Sequence, residues 1–295
     1  MTTINNCPIC NDAELDTHLE CIDALVSHET FRLSKCRKCG FVFTNGLPKM
    51  DKLGQYYHSE NYISHSNSNK GLMNKAYKIV RSYTLAQKTK LLGKAEGKLL
   101  EIGSGTGELL ANCEKKGWEC QGVEPEEVAR KAAFQNHSLK LLASIDELSI
   151  QENSLDRIML WHVLEHVPNL HQTIEKFKGW LKKDGLLFVA VPNHKSWDAK
   201  HYKENWAAYD VPRHLYHFDK ESMNKLLGQH TLEIKQTRAM LFDSFYISML
   251  SEEIKNGQKK MIKGAIAGLI SNLSATLKSG EYSSHLYLIG HKIAV

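Results

Sequence analysis

The chain has 295 residues, 42% of them hydrophobic and 24% charged, with a formal net charge of +5. That size allows one or two domains, and that composition excludes a disordered or fibrous chain. The charge is too mild to require nucleic acid. No apolar run has the length of a membrane span, and the polar opening MTTINNCPIC does not read as a secretory leader, so a cytoplasmic protein is expected. In a reducing compartment the seven cysteines are then thiols or metal ligands rather than disulfides.

Residues 1–48 read as strands and turns bracketed by CPIC and CRKC, which place Cys7 and Cys10 opposite Cys36 and Cys39. Each C-x2-C pair turns back through a tight knuckle, and four thiolates suit tetrahedral zinc. The 25 residues between the pairs leave room for a hairpin. With all four ligands supplied by protein, such a zinc is structural rather than catalytic. A zinc ribbon over 1–48 is therefore expected, and Cys21, Cys113 and Cys120 read as ordinary thiols.

Residues 49–95 begin polar (YYHSENYISHSNSNKG) and turn helical, with Leu72, Ala76, Ile79, Val80 and Tyr83 near a 3.6 period. They read as a helical linker that caps the next domain. From residue 96 onward strand and helix patterns alternate: KLLEI, a helix from Gly107, WECQGV, a helix from Glu126, SLKLL, SLDRIML, a helix around LHQTIEKFKGWL, and GLLFVAV. That alternation predicts an α/β domain over 96–295, with a parallel sheet wound on both faces by helices.

Two segments depart from a plain α/β layout. Residues 192–218 form a long connection rich in Trp, Tyr and His, expected to be a functional lid. Residues 240–282 form a helical insertion between TLEIKQTR and HLYLIGHKI, which read as the last two strands. In the insertion Ile262, Ile266, Leu269, Ile270, Leu273 and Leu277 make an apolar stripe. Core or dimer packing explains such a stripe, as does a wall for a greasy substrate or a peripheral membrane contact.

The stretch EIGSGTGELL carries the first chemical signal. Gly103, Gly105 and Gly107, with Ser104 in the same turn, let the backbone turn tightly and approach a ligand. Glu108 stands where the dinucleotide fingerprint GxGxxG needs glycine, and no GK[ST] follows, so neither a dinucleotide site nor a P-loop is indicated. Glu101, at the strand's end, is placed to accept from an ammonium group. About twenty residues on, GVEPEE puts Glu124 at the end of the second strand, where a carboxylate can accept both hydroxyls of a ribose. Pro125 starts the next helix, where its missing N–H costs nothing.

EIGSGTGELL, GVEP, LDRIMLWHVLEHVPN and LKKDGLLFVAVPN stand in the order and at the distances of class I S-adenosylmethionine (SAM)-dependent methyltransferases. Residues 95–240 resemble most the subgroup that includes ubiquinone-biosynthesis O-methyltransferases. The resemblance implies a Rossmann-like, doubly wound sheet of seven strands with the last antiparallel. It implies that Glu101, Gly103, Gly105 and Gly107 hold the methionine part of SAM, that Glu124 holds the ribose, and that Ser144 and Ile145 border the adenine. Trp161 and His162 then lie near the transferred methyl group, and Tyr57, with Tyr56 and Tyr62, is expected to close over SAM from the other side.

Methyl transfer to a hydroxyl needs a base, and histidine is the default near neutral pH. His162 is the first candidate, and His166, His214 and His217 are alternates. In the resembled subgroup E-x-x-E-H looks like a divalent-metal site. His162 replaces its first glutamate here, so His162, Glu165 and His166 form a set less suited to Mg2+. In DVPRHLYHF, a signature similar to one in bacterial relatives, Arg213 is expected to clamp an acidic group of the substrate.

The expected function is SAM-dependent methylation of a small-molecule or lipid-like metabolite, at oxygen, with a histidine base. Three other readings stay open. One is a ribosomal-RNA-type methyltransferase using the ribbon for RNA contact, against which Lys and Arg are scattered rather than striped. The others are a sugar C-methyltransferase and a SAM-binding scaffold without turnover.

Overall fold

The computed structural model describes residues 2–57, 72–93 and 96–292. Strands β4 (Lys98–Ile102), β5 (Glu119–Val123), β6 (Leu155–Trp161), β7 (Leu181–Pro192), β9 (Leu232–Ala239) and β10 (Ser284–His291) form one sheet in the order β5-β4-β6-β7-β10-β9. The middle strands read as continuous apolar runs because helices cover both their faces. Leu99, Leu100, Ile158, Met159, Leu160, Leu187, Phe188 and Val189 are fully buried. β4, β5, β6 and β7 pair in parallel, and β10 runs antiparallel to both β7 and β9. The chain leaves β4 toward β5 on one side and returns to β6 on the other. Their carboxyl ends thus frame the crevice where such sheets bind ligands.

The sheet has six strands, not the seven expected. SLKLL contributes one parallel bridge, Leu142 beside Val123. Its start is consumed by the end of the preceding helix, α3 (Glu127–His137), where Ser138 takes the left-handed cap conformation and Leu139 turns inward beside Ala133. Only Leu142 is left to pair, exchanging hydrogen bonds with Gly122 and Glu124.

The N-terminal strands β1 (Leu15–Ile22), β2 (Thr30–Cys36) and β3 (Val42–Asn45) form an antiparallel meander whose fourth strand, β8 (Tyr216–His217), comes from the far end of the 192–218 connection. The ribbon therefore does not stand apart. Phe41, Phe43 and Leu47 share a core with Phe218, Met223, Leu226 and Leu227, the last three on α6 (Lys220–Gln229). The knuckle carbonyls are also tied down. Lys225 Nζ donates to Cys39 O (3.0 Å), Gln229 Nε2 to Ile9 O (3.0 Å) and His171 Nε2 to Pro8 O (2.8 Å).

The 192–218 connection is packed rather than loose. It opens with a short helix, α5 (Trp197–Tyr202), capped by Ser196. Asp198, with no solvent exposure, accepts hydrogen bonds from Trp206 Nε1, Ser271 Oγ and Ser283 Oγ, each at 2.7 Å. A buried carboxylate with three donors is satisfied without a counter-ion. This network fastens the connection to the insertion, which consists of α7 (Leu241–Asn256) and α8 (Met261–Ser274).

Candidate active site

β4 ends in the glycine turn that opens α2 (Glu108–Lys115), and all three glycines have positive φ. Gly103 is doubly constrained: φ is 73°, and a Cβ there would stand 2.4 Å from Val163 Cγ2. Glu124 is tied to the same turn. Gly105 N–H donates to its Oε2 (2.7 Å) and Glu126 N–H to its Oε1 (2.9 Å). Each oxygen keeps further acceptor capacity, which is what a pair of hydroxyls requires.

Glu101 is buried, and its Oε2 has no hydrogen-bond partner among the described residues. Burial pushes its carboxyl up to about 8, while the nearby Lys88 opposes the rise. An orphaned buried carboxylate is costly unless something cationic arrives. Lys88, on α1 (Leu72–Leu91), lies with its ammonium 4.1 Å from the centroid of the Trp161 ring, so that aromatic face already receives a cation. Burial holds its pKa below the usual lysine value. The sequence reading missed Lys88. Its only local signal is a place in the last turn of the capping helix. Ser104 donates its hydroxyl to Glu101 O, Pro125 O accepts from Arg130, Ser144 caps a 3-10 turn, and Ile145 packs against the core.

At the end of β6, His162 adopts a left-handed backbone (φ 56°) and donates its N–H to Ala190 O (2.9 Å). A non-glycine residue held in that region marks strain concentrated at a site. Its ring lies between two carboxylates, Nε2 3.0 Å from Asp243 Oδ2 and Nδ1 3.5 Å from Glu165 Oε1. Burial disfavours its charge, but Asp243 and Glu165 outweigh burial and raise it to about 10. A pKa raised this far holds His162 charged near neutral pH, which counts against its reading as the base. Asp243, from the start of α7, had no sequence signal, because it is brought there by the insertion's return.

This pairing has a pH signature. The folded pKa, about 10, lies above the ordinary 6.5, so the stabilisation is complete below pH 6.5 and is lost as pH rises through about 10. The melting temperature is expected to fall over that window, and Asp243→Asn should flatten the fall. Differential scanning fluorimetry from pH 6 to pH 10.5 checks this, and identical profiles for the two proteins would remove Asp243 as the cause.

Behind His162 a second cluster gathers. Glu165 is fully buried and neither of its oxygens has a hydrogen-bond partner among the described residues. Burial favours its neutral form, yet the charged His162 beside it draws its pKa below the usual carboxylate value. Ligand atoms of Glu165, His166 and His214 all lie within 4.8 Å of one another. His166 Nδ1 is 3.0 Å from Arg213 O, and His214 Nδ1 is 2.8 Å from Ala208 O. A ring nitrogen facing a carbonyl must carry its hydrogen, so in a neutral ring Nε2 is the acceptor. Burial, helped by His214, pushes His166 down to about 4, which makes it neutral and weakly basic.

Three expectations are corrected. Arg213 is 1% exposed and spends its donors inside the protein: on Asp23 Oδ1 (2.9 Å), Asp210 Oδ1 (2.7 Å) and Tyr56 O (2.8 Å). It joins the ribbon, the connection and the linker, and reaches no substrate. His217 is buried in β8, with Nε2 3.0 Å from Thr44 Oγ1, and burial drives its pKa well below 6.5, so it is a structural residue rather than a base. Tyr56 turns toward the ribbon, donating to Glu29. Tyr57 lies against His166, its hydroxyl 3.2 Å from Nδ1, and Tyr62 lies outside the described residues.

The sulfurs of Cys7 and Cys39 lie 3.4 Å apart and those of Cys10 and Cys36 3.5 Å apart. These are far from a disulfide bond of about 2.0 Å and close to the edge of about 3.8 Å expected for a tetrahedron with zinc–sulfur bonds of about 2.3 Å. The donor set fits zinc.

Fold and crevice together define a doubly wound α/β protein in which the glycine turn, Glu101 and Glu124 gather at the carboxyl ends of β4 and β5. The chain belongs to the methyltransferase domain family, whose pattern it matches over residues 77–237. It is 33% identical over 117 residues to the ubiquinone biosynthesis O-methyltransferase of Glaesserella parasuis, covering 35% of this chain and 47% of that one. It is 38% identical over 78 residues to the (S)-coclaurine N-methyltransferase of Thalictrum flavum, covering 26% of this chain and 21% of that one. The chain thus spans about half, or less, of the length of these curated relatives. A solved structure of a proposed sarcosine dimethylglycine methyltransferase from Galdieria sulphuraria shares the fold. Its TM-score is 0.50 at 15% identity, covering 73% of this chain and 87% of that one.

Proposed function

We propose that this protein transfers the methyl group of SAM to an oxygen of a small or lipid-like metabolite. The observation that carries the donor half is the buried Glu101 carboxylate beside the glycine turn, whose Oε2 has no hydrogen-bond partner among the described residues. In this reading Glu101 accepts the donor's ammonium, Lys88 turns to its carboxylate, Glu124 accepts the ribose hydroxyls, and Ser144 and Ile145 border the adenine. When bound, SAM supplies a methyl carbon on a sulfonium, whose charge suits the Trp161 face that Lys88 shows to be cation-receptive.

His214 Nε2 takes the proton of the acceptor hydroxyl. Its Nδ1–H is fixed on Ala208 O, and the ionised Glu165 carboxylate stabilises the imidazolium that forms. His162, already charged, orients Glu165. His166 anchors the connection through Arg213 O, and Tyr57 closes the crevice on that side. With the donor held by Glu101 and Glu124 and the acceptor hydroxyl at His214, the crevice would align the two, and much of the rate would come from that positioning.

Calorimetric titration with S-adenosylhomocysteine tests the donor half. An ammonium bound by Glu101 needs the carboxylate ionised, so binding releases a proton and tightens as pH rises from 6 toward 8. No binding at either pH would sink the reading. His214→Ala is expected to lower turnover by about 10²–10⁴-fold with S-adenosylhomocysteine affinity unchanged. Unaltered turnover would exclude it as the base.

The four thiolates are read as a structural zinc site that holds the knuckles against α6. The purified protein is expected to carry one zinc per chain by mass spectrometry, and Cys36→Ser to lose it and melt at a lower temperature. A metal-free native protein of the same stability would leave the ribbon held by its core alone.

A further inference from the structure

The insertion turns the usual arrangement of a surface helix inside out. α8 buries its small residues, Gly264, Ala267, Gly268 and Ser271, and presents its large ones. Ile262 is 79% exposed, Leu277 just beyond the helix is 77% exposed, and Ile266, Leu269 and Leu273 are at least half exposed. The orientation is locked. A Cβ on Gly264 would stand 2.5 Å from Met249 Cα and one on Gly268 2.7 Å from Phe245 Cα, so α8 lies directly on the α7 backbone. Ser271 is fastened to the buried Asp198 at 2.7 Å. The helix therefore cannot rotate its aliphatic face inward.

Small residues inside and large aliphatic ones outside is how helices pack when lipid, not water, surrounds them. In water a continuous apolar face of this kind marks an interaction surface. Its charge is one-sided. Lys259, Lys260 and Lys263 stand at one end of the stripe and Lys278 at the other, and no Asp or Glu occurs from Gly257 to Gly280. Aliphatic residues flanked by lysines match an interface with anionic headgroups. Among the described residues no helix is long and apolar enough to cross a membrane, and the contact proposed is a peripheral one. The face also continues to the crevice. Asn272 donates to Leu241 O (2.9 Å), and the half-exposed Leu241 and Phe242 precede Asp243, the partner of His162.

We propose that the outer face of α8 docks on the surface of an anionic lipid bilayer and sets the mouth of the crevice against it. The contact is independent of methyl transfer, so it is tested separately from donor binding. The full chain is floated with vesicles of phosphatidylcholine alone and of phosphatidylcholine with phosphatidylglycerol. Flotation is expected with the anionic vesicles, at least about tenfold weaker with the neutral ones, and weakened by salt. The double variant Ile266→Glu/Leu273→Glu should lose flotation by at least about tenfold. The triple variant Lys259→Glu/Lys260→Glu/Lys263→Glu should lose the preference for anionic vesicles. Apart from the half-buried Lys260, which donates to Asn256, the changes are at exposed positions, and an unchanged melting temperature and S-adenosylhomocysteine affinity show that the variants are folded. Wild-type protein that stays with the soluble fraction, or variants that float equally well, overturns the proposal. So does a wild-type dimer in light scattering that Ile266→Glu/Leu273→Glu makes monomeric, which would assign the face to a second copy of the chain.

Discussion

Glu124→Ala is expected to weaken binding of S-adenosylhomocysteine by about 10²–10³-fold in a calorimetric titration. The carboxylate sits at the end of β5 with each oxygen already accepting one backbone N–H, from Gly105 and from Glu126, which aims its remaining lone pairs at the crevice. A hydrogen bond to a charged acceptor is worth about 1.5–3 kcal/mol, and two ribose hydroxyls would use two of them. Part of the loss comes through the glycine turn, whose Gly105 N–H loses its acceptor. Glu124→Gln keeps one acceptor oxygen and should fall between the wild type and Glu124→Ala. An affinity within threefold of wild type for Glu124→Ala would mean that the ribose is held elsewhere.

Arg213→Ala is expected to cost about 3–5 kcal/mol of stability in urea denaturation, the scale for breaking a buried ion pair by removing one partner. Asp23, with no solvent exposure, would keep its bonds to the turn at Leu25 and Ser27 but lose its counter-ion. Asp210 and the carbonyl of Tyr56 would lose donors at the same time. The ribbon, the 192–218 connection and the linker all meet at this guanidinium, so the loss extends beyond one contact. Arg213→Lys keeps the charge but not the planar fork, and should recover only part of the stability. A loss below about 1 kcal/mol combined with a large rise in acceptor KM would restore the substrate-clamp reading.

The two cases show which part of the site was legible. The placement of Glu124 was readable because it follows from position on one βα unit: a strand's carboxyl end, about twenty residues after a glycine turn, with Pro125 opening the next helix. Glu101 and the glycines follow from the same local geometry. Arg213 looked the same in sequence as a substrate clamp would, a basic residue on a loop over a crevice. Its partner Asp23 lies 190 residues away, and nothing between them predicts the contact. The charge of His162 was hidden from the sequence for a related reason. Its proximity to Glu165 is local, three residues on, but its charge is set in large part by Asp243, which arrives from the insertion. Lys88 escaped notice because a lysine in the last turn of a polar helix is ordinary until Trp161 is placed beneath it.

The chain's local patterns alone determined the alternation of strands and helices, the glycine turn with its two acids, and the paired C-x2-C knuckles. Each rests on periodicity or on contacts within one turn, one knuckle or one neighbouring βα unit. Tertiary structure alone decided that SLKLL contributes one bridge, that β8 completes the ribbon's sheet, and which carboxylates face His162. It also decided that α8 faces outward with its large residues. An apolar stripe shows that a helix has two faces. Which face is buried depends on whether the partner helix approaches closely enough to demand glycine, and Met249 and Phe245 of α7 do so against Gly264 and Gly268.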